Sequence, residues 1–110
     1  MKIYHTPDIA SSAVAAHAGR PATSLVHDSP DARVVLFRIE IGQHVPVHTS
    51  VSTVLLTVVS GNGVVVGGDE EREVRAGDIV AYDAGEPHGM RAGSEQLVIA
   101  AVIAPRPAAR

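Results

Sequence analysis

Short apolar runs separated by turn-forming residues constrain the fold of this chain more than any other feature. From Ala22 onward, segments rich in Val, Ile, Leu and Thr are interrupted about every eight to twelve residues by Gly, Pro, Asn or Asp. This spacing is typical of an all-β sandwich or barrel. It predicts nine strands, at residues 24–27, 34–41, 45–49, 53–60, 63–66, 71–75, 79–82, 89–92 and 96–103.

The two ends of the chain do not follow this pattern. Ser11 or Ser12 is suited to cap a short helix through the alanine-rich residues 13–18, and Gly19 is suited to end it. The last residues contain two prolines and no large apolar side chain, which predicts a flexible tail. We therefore expect an N-terminal arm at 1–21, a barrel at 22–104 and a flexible C-terminal tail at 105–110.

Composition excludes several classes of protein. With 110 residues, of which 45% are hydrophobic, the chain has the size and apolar content of a single domain. The formal charge is −3 and the basic residues are scattered, so we expect no nucleic-acid partner. There is no cysteine, which excludes disulfides and thiolate metal sites. No apolar run reaches the ~20 residues that span a bilayer, and no signal peptide is evident, so we expect no membrane partner and a cytoplasmic location.

Several of the predicted strands, notably at residues 64–66 and 97–102, are apolar at consecutive positions rather than at alternate ones. Both faces of such strands are expected to be covered. The chain has only three aromatic residues, and one small core does not readily bury all of its aliphatic side chains. We therefore expect one sheet face to pack against a second copy of the chain, in a homodimer.

Two segments of the chain carry residues at recognisable intervals. In the first, Gly42 is followed after five residues by His48. Ser50 comes two residues later, Val54 four residues after that, and Gly61 after six more. The second segment has its marked positions at Gly77, Asp83, Gly85, His88 and Ala92.

In their spacing, residues 42–61 and 77–92 resemble the two motifs of the cupin superfamily, G(x)5HxH(x)3-4E(x)6G and G(x)5PxG(x)2H(x)3N. The resemblance implies a small single-domain cupin, whose fold is a double-stranded β-helix, or jelly-roll, barrel. In metal-binding cupins, two histidines and a glutamate of the first motif and a histidine of the second hold a divalent ion. This chain keeps His48 and His88, but Ser50 and Val54 stand where the family has its second histidine and its glutamate. The implied metal site is therefore degenerate.

His44 is the one further histidine close to the first motif. In a straight strand it would lie about 13 Å from His48, too far for both rings to reach one ion. Pro46, between them, is suited to a kink or bulge because proline cannot donate to a sheet ladder. Two arrangements stay open: a divalent transition metal held by His44, His48 and His88, or a metal-free pocket with His44 at the barrel mouth.

Residues two apart on a strand share a face, which places Ser50, Ser52 and Val54 in the row of His48 on the cavity wall. Tyr82 either packs in the core with its hydroxyl bonded or faces the cavity.

Three functions are compatible with these residues, and the sequence does not decide whether the protein is an enzyme. The first is binding of a small organic molecule inside the barrel, with His48, His88 and the serine hydroxyls as polar points. The second is a metal-dependent cupin enzyme, by resemblance an oxygenase, isomerase or decarboxylase, that uses His48, His88 and His44. The third is a metal-independent isomerase or epimerase in which a histidine acts as the general base.

Overall fold

The structure, a computed structural model, describes residues 1–107 of the chain. In chain order its elements are α1 (Thr6–Ser12), β1 (Ala22–Asp28), β2 (Arg33–Ile39), β3 (His44–His48), β4 (Thr53–Ser60), β5 (Asn62–Val66), β6 (Glu71–Arg75), β7 (Ile79–Tyr82), β8 (His88–Ala92) and β9 (Leu97–Ala104). Each of the nine predicted strands is present, with ends that differ from the prediction by two residues at most. Within the described residues, no helix is long and apolar enough to cross a membrane.

The strands form two antiparallel sheets that face each other. The five-stranded sheet has the order β1-β2-β9-β4-β7, and the four-stranded sheet has the order β3-β8-β5-β6. Neighbours such as β2 and β9 are far apart in sequence, so the chain repeatedly crosses from one sheet to the other. This is the arrangement of a double-stranded β-helix, and it confirms the all-β jelly-roll prediction.

Side-chain alternation along the strands builds the core between the two sheets. On β4, Val54, Leu56 and Val58 are buried while Leu55 is exposed. The register pairs Leu56 with Ala101 of β9, so buried residues of neighbouring strands share the inner face. Burial of each large aliphatic side chain contributes about 1.5–3 kcal/mol to stability.

The helix prediction was wrong in its position. The helix comes earlier, at Thr6–Ser12, with a proline in its first turn, where the fixed φ of proline suits a helix start. Ser11 and Ser12 are at its end, and their hydroxyls donate to the carbonyl of Asp8 at 3.0 and 2.8 Å. The alanine-rich segment is not helical, and its Val14 forms a β-bridge with Thr23 of β1.

α1 packs on the outer face of the five-stranded sheet. Ala10 of the helix is buried against Leu36 and Val98. Arg38 donates to the carbonyl of Ala10 at 2.6 Å and also pairs with Glu40 at 2.9 Å. The helix therefore covers one part of this outer face and leaves the part around β4 and β7 open.

The residues that follow β9 contact the barrel. The Ser52 hydroxyl donates to the carbonyl of Pro105 at 2.6 Å, and the Arg106 guanidinium lies 3.6 Å from the carboxylate of Asp28. The predicted flexible tail covers residues 105–110, of which 108–110 lie outside the described residues. Residues 105–107 thus lie along one end of the barrel.

Candidate functional site

A cavity of about 570 Å³ lies between the two sheets of the barrel and opens to solvent beside exposed residues such as Val51. Strands of both sheets, two loops and the segment after β9 contribute to its wall. The residues that line it are Phe37, Val45, His48, Thr49, Ser50, Val51, Val54, Leu56, Gly85, His88, Gly89, Met90, Ala101, Ile103 and Pro107. Most of this wall is apolar, and its nitrogen-bearing side chains are the two motif histidines.

His48 and His88 come together, as their motif positions predict. They lie directly opposite each other in the β3–β8 ladder. Their ring centroids are 4.2 Å apart and the ring planes meet at 61°, an edge-to-face arrangement. The two motifs therefore meet at one point on the cavity wall.

Each of these rings is held in the same way by the backbone of its own strand or turn. His48 Nδ1 lies 2.9 Å from the carbonyl oxygen of Pro46, and His88 Nδ1 lies 2.9 Å from that of Glu86. Because a carbonyl oxygen only accepts, we assign a proton to Nδ1 in both rings. In the neutral form of each imidazole, Nε2 is then left with its lone pair and can accept a hydrogen bond.

The Nε2 atom of His88 faces the cavity. The residue is only 6% exposed, and no hydrogen bond to Nε2 is formed within residues 1–107. Among the described residues, every side-chain nitrogen or oxygen that is fully buried has a hydrogen-bond partner. Because Nε2 of His88 has none, this atom is not fully buried and keeps some contact with solvent. Its accessible surface therefore opens into the space that His88 lines.

The structure does not bring His44 to the histidine pair. Val45 pairs with Met90 and His48 pairs with His88, so three steps along β3 match two steps along β8. This β-bulge at Pro46 and Val47 turns Val45 and His48 to the same face, and it leaves His44 on the other face, opposite Arg91. His44 and His48 are both exposed. The bend that was expected near Pro46 is present, but it separates His44 from His48.

Ser50 and Val54 line the cavity beside the imidazoles, whereas Ser52 does not. The Ser50 hydroxyl oxygen accepts a hydrogen bond from the backbone N–H of Ser52 at 3.1 Å, so its own proton remains available to a ligand. Ser52 is buried, and its hydroxyl donates a hydrogen bond to the carbonyl of Pro105. Ser52 thus anchors the segment after β9.

Tyr82 packs beside His88 and does not line the cavity. Their ring centroids are 5.1 Å apart, and the Tyr82 hydroxyl donates to the carbonyl of Val66 at 3.0 Å. Burial raises the pKa of this hydroxyl above its ordinary range, and the nearby carboxylate of Glu86 adds to the rise. The sequence left open whether Tyr82 packs in the core or faces the cavity, and in the structure it packs in the core.

Sequence reasoning missed several residues of the cavity wall. Phe37 and Met90 contribute large apolar surface, and Met90 carried a usable signal because it is two residues after His88 on one strand. Gly89 marks a close approach of β3 and β8: an added Cβ would lie 3.0 Å from the carbonyl oxygen of Val45. No pattern in the sequence indicated that Pro107 lines the cavity, because its position depends on the path of the chain after β9.

The donor set does not fit the four-ligand metal centre that the family resemblance implies. Protein sites for transition metals use three or four nitrogen, sulfur or carboxylate ligands. Within residues 1–107, no group of three or more His, Cys, Asp or Glu side chains is placed to hold an ion. His48 and His88 supply two nitrogens, the Ser50 hydroxyl is a weak ligand, and Val54 has no donor. The site is therefore short of two ligands.

Several solved structures are similar to this one over nearly the whole chain. The protein TT1209 from Thermus thermophilus has a TM-score of 0.85 at 27% identity, over 97% of this chain and 100% of that one. An uncharacterized conserved protein with a double-stranded β-helix domain from Klebsiella pneumoniae has a TM-score of 0.82 at 25% identity, over 100% and 99%. An RmlC-like cupin protein from Desulfovibrio desulfuricans has a TM-score of 0.75 at 31% identity, over 86% and 91%.

No curated protein matches the chain. The family model described as "Cupin domain" matches residues 35–103, which include both motif segments, both histidines of the pair and all or most of eight of the nine strands. The 31% identity to the RmlC-like cupin protein agrees with this match. The chain belongs to the cupin family.

Proposed function

We propose that the protein binds a small organic molecule in the barrel cavity, where Nε2 of His48 and Nε2 of His88 accept hydrogen bonds from it. The observation that carries this proposal is the shared fixation of the two rings, each through Nδ1 to a carbonyl 2.9 Å away. The cavity volume of about 570 Å³ lies within the range usual for small-molecule sites, roughly 300–1,000 Å³. An apolar wall with few polar points is also usual for such sites.

Preorganisation supports binding at this point of the wall. Both rings are already fixed by the backbone, and Tyr82 packs against His88 with its own hydroxyl bonded to Val66. A ligand therefore does not have to order these side chains when it binds, which removes an entropic cost of about 0.5–1.5 kcal/mol per side chain.

A matched pair of variants at His88 tests the proposal. In His88→Asn the side-chain amide can still donate to the Glu86 carbonyl, but the acceptor at the Nε2 position is lost. In His88→Gln the longer side chain returns an amide oxygen to the region of Nε2. The probes are 4-ethylphenol, cyclohexanol and indole, titrated into 15N-labelled protein and followed by NMR.

We expect the probes to shift the amide signals of lining residues such as Gly85, Gly89 and Met90. We expect the dissociation constant of 4-ethylphenol to rise about tenfold or more in His88→Asn, and less in His88→Gln. Ile41→Thr, at an exposed residue between β2 and β3 that does not line the cavity, serves as the control and should bind like the unmodified protein. If no probe moves the signals of lining residues, the proposal is overturned.

A second candidate, a metal-independent isomerase or epimerase, rests on the same free Nε2 atoms, because an imidazole fixed through Nδ1 is placed to act as a base. Deuterium exchange into a bound ligand distinguishes the two. Exchange that is lost in His88→Gln, while binding persists, indicates catalysis; binding with no exchange indicates a binding protein.

We also propose that the protein is a homodimer whose two copies meet through the outer face of the five-stranded sheet. Across this face the register aligns Val34, Val102, Leu55 and Ala81 in one row. Leu55 is 37% exposed and Ile79 is 69% exposed beyond the area that α1 covers. The row contains no charged side chain, so two copies related by a two-fold axis can bury it without leaving an unpaired charge.

Light scattering tests the dimer. We expect a mass of twice the 11.4 kDa of one chain at micromolar concentration, and a monomer for Leu55→Asp. Ile41→Asp, at an exposed apolar residue between β2 and β3, is the matched control and should stay dimeric. A monomeric unmodified protein would refute this arrangement.

A further inference from the structure

We infer that the ligand of the cavity is an uncharged molecule with an apolar body and a hydroxyl group, which donates to an imidazole Nε2 and accepts from Ser50. This inference rests on the proposed binding function and adds the chemical class of the ligand.

The charge of the cavity wall selects against ionic ligands. Within residues 1–107, no Asp, Glu, Lys or Arg side chain lines the cavity. A carboxylate or an ammonium group that entered the cavity would lose its hydrating water and gain no partner of opposite charge. This desolvation cost disfavours the binding of ionic ligands.

Two charged residues that adjoin lining residues in the sequence, Arg106 and Glu86, are engaged elsewhere. Arg106 precedes the lining residue Pro107, but its guanidinium is beside Asp28 at 3.6 Å. The carboxylate of Glu86, two residues before His88, accepts a hydrogen bond from the backbone N–H of Asp83 at 2.9 Å and is exposed. Neither group therefore supplies charge to the cavity.

The hydrogen-bonding groups of the wall select for a hydroxyl. Each Nε2 accepts, while Ser50 has a proton to donate because its oxygen already accepts from the N–H of Ser52. A hydroxyl group is both donor and acceptor, so one such group on the ligand can serve both kinds of partner. An ether or a ketone has no proton for Nε2 and would leave both imidazoles without a partner.

The apolar part of the ligand would lie against the inner faces of both sheets. Phe37 and Ile103 come from the five-stranded sheet, and Met90 comes from the four-stranded sheet. Val51, which also lines the cavity, is exposed. An aromatic ring or a short branched chain fits these surroundings of aromatic, thioether and aliphatic groups.

Three probes of similar size test the inference, because they differ only in the group at one end. They are 4-ethylphenol, its methyl ether 4-ethylanisole, and the carboxylate 4-ethylbenzoate. Each is titrated into the full-length protein, and the shifts of lining amide signals give the dissociation constants. We expect 4-ethylphenol to bind at least tenfold more tightly than either of the other two.

Two variants identify the groups responsible for this preference. His88→Asn should remove most of the difference between 4-ethylphenol and 4-ethylanisole, and Ser50→Ala should reduce it about threefold. The dispersion of each variant's amide spectrum shows whether it is folded, and Ser50→Ala removes only one side-chain oxygen. Ser60→Ala, at the exposed end of β4 and outside the cavity wall, removes the same single oxygen; it is the control and should leave the preference unchanged.

The outcomes separate this inference from the proposed function. Binding of 4-ethylbenzoate as tight as that of 4-ethylphenol, or tighter, overturns the ligand class while the cavity remains a binding site. Equal binding of 4-ethylanisole and 4-ethylphenol overturns the role of the hydroxyl. Absence of any shift at the lining residues with all three probes overturns the binding function and the ligand class together.

Discussion

His48 lies directly opposite His88 across the β3–β8 ladder, and each ring is bonded through Nδ1 to the carbonyl two residues before it. Two segments that are far apart in sequence thus build the same local arrangement, one at a β-bulge and the other at a turn. Pro46 takes part in the first and Pro87 immediately precedes the histidine of the second. The common result is a pair of fixed rings with Nε2 free, on which the proposed function depends.

The close approach at Gly89 makes this glycine a test of the bulge. In Gly89→Ala the new Cβ would meet the carbonyl oxygen of Val45 at 3.0 Å and the amide nitrogen of Val47 at 3.1 Å. We expect β3 to shift outward and the affinity for 4-ethylphenol to fall at least fivefold, because His48 moves with its strand. Gly68→Ala has its nearest neighbour at 3.9 Å and should leave the affinity unchanged. Equal affinity in both variants would show that the bulge does not position the ring.

Gly61 and Gly77 separate the effect of a positive φ from that of a steric clash. Both residues have a positive φ, +80° and +97°. A Cβ at Gly77 meets no atom within 4 Å, while one at Gly61 would overlap the carbonyl of Gln96. We expect Gly77→Ala to cost about 1–2 kcal/mol and Gly61→Ala more than about 3 kcal/mol, measured by urea unfolding. Similar costs would show that backbone conformation alone sets the penalty.

Most of the fold was accessible from the sequence because strands and turns are local patterns. Alternation in segments such as residues 53–60, together with glycines such as Gly61, locates strands and turns without knowledge of the partner strands. The helix was misplaced because Ser11 and Ser12 were interpreted as N-terminal caps, whereas Pro7 is the stronger start signal and the serines bond back to Asp8.

The site was accessible only in part. Motif spacing indicated His48 and His88. Alternation from His48 included Ser50 and Val54, and both line the cavity, but residues 49–52 form no strand and Thr49 and Val51 line the cavity as well. The sequence left the position of His44 open, because a bulge is a property of two paired strands and the register of β3 against Met90 is not visible in the sequence of β3. Ser52 is an even number of residues from His48, as Ser50 and Val54 are, but its hydroxyl donates to the carbonyl of Pro105. The two residues are 53 positions apart, so no local pattern indicates this contact.

The ion pair between Arg38 and Glu40 predicts how stability depends on acid. The side chain of Gln96 and then Arg38 hold the pKa of Glu40 below its ordinary value of 4.5. The stabilisation is therefore present above about pH 4.5 and is lost as the pH falls through the lowered pKa. We expect Glu40→Gln to cost about 0.2–1 kcal/mol at pH 7, because the pair is partly exposed, and to cost less below pH 4. Glu73→Gln on the exposed side of β6 is the control, and an effect of Glu40→Gln that is constant with pH would contradict this assignment.

The buried hydroxyl of Tyr82 predicts a loss of stability in alkali. Its pKa is raised, so the folded protein keeps the proton at a pH where the unfolded chain has begun to lose it. Stability is then complete below about pH 10 and falls as the pH rises toward the raised pKa. Tyr82→Phe should cost about 1 kcal/mol at neutral pH through the lost bond to Val66, and it should flatten the alkaline decline. Tyr4→Phe, at an exposed tyrosine, should do neither; an unchanged decline in Tyr82→Phe would exclude this group as its source.

Elemental analysis tests the mismatch between the donor set and a metal centre. Untagged protein purified without chelator is expected to carry well under one equivalent of iron, manganese, nickel, copper or zinc, because only two imidazoles are available. His48→Ala is the matched variant and should have the same low content. Stoichiometric metal that disappears in His48→Ala would contradict this expectation and would make His48 a ligand.

Ser50 and Val54 line the cavity beside the imidazoles, at the positions where the family motif has its second histidine and its glutamate. In evolutionary terms, both positions still line the cavity, and changes in only two codons separate this pocket from the family's full set of metal-binding side chains. The substitutions Ser50→His and Val54→Glu would place the family's full set of donor side chains on the cavity wall. The proposed binding pocket and a metal centre of the family would then differ in two side chains of one barrel, which makes this chain a convenient starting point for building such a centre.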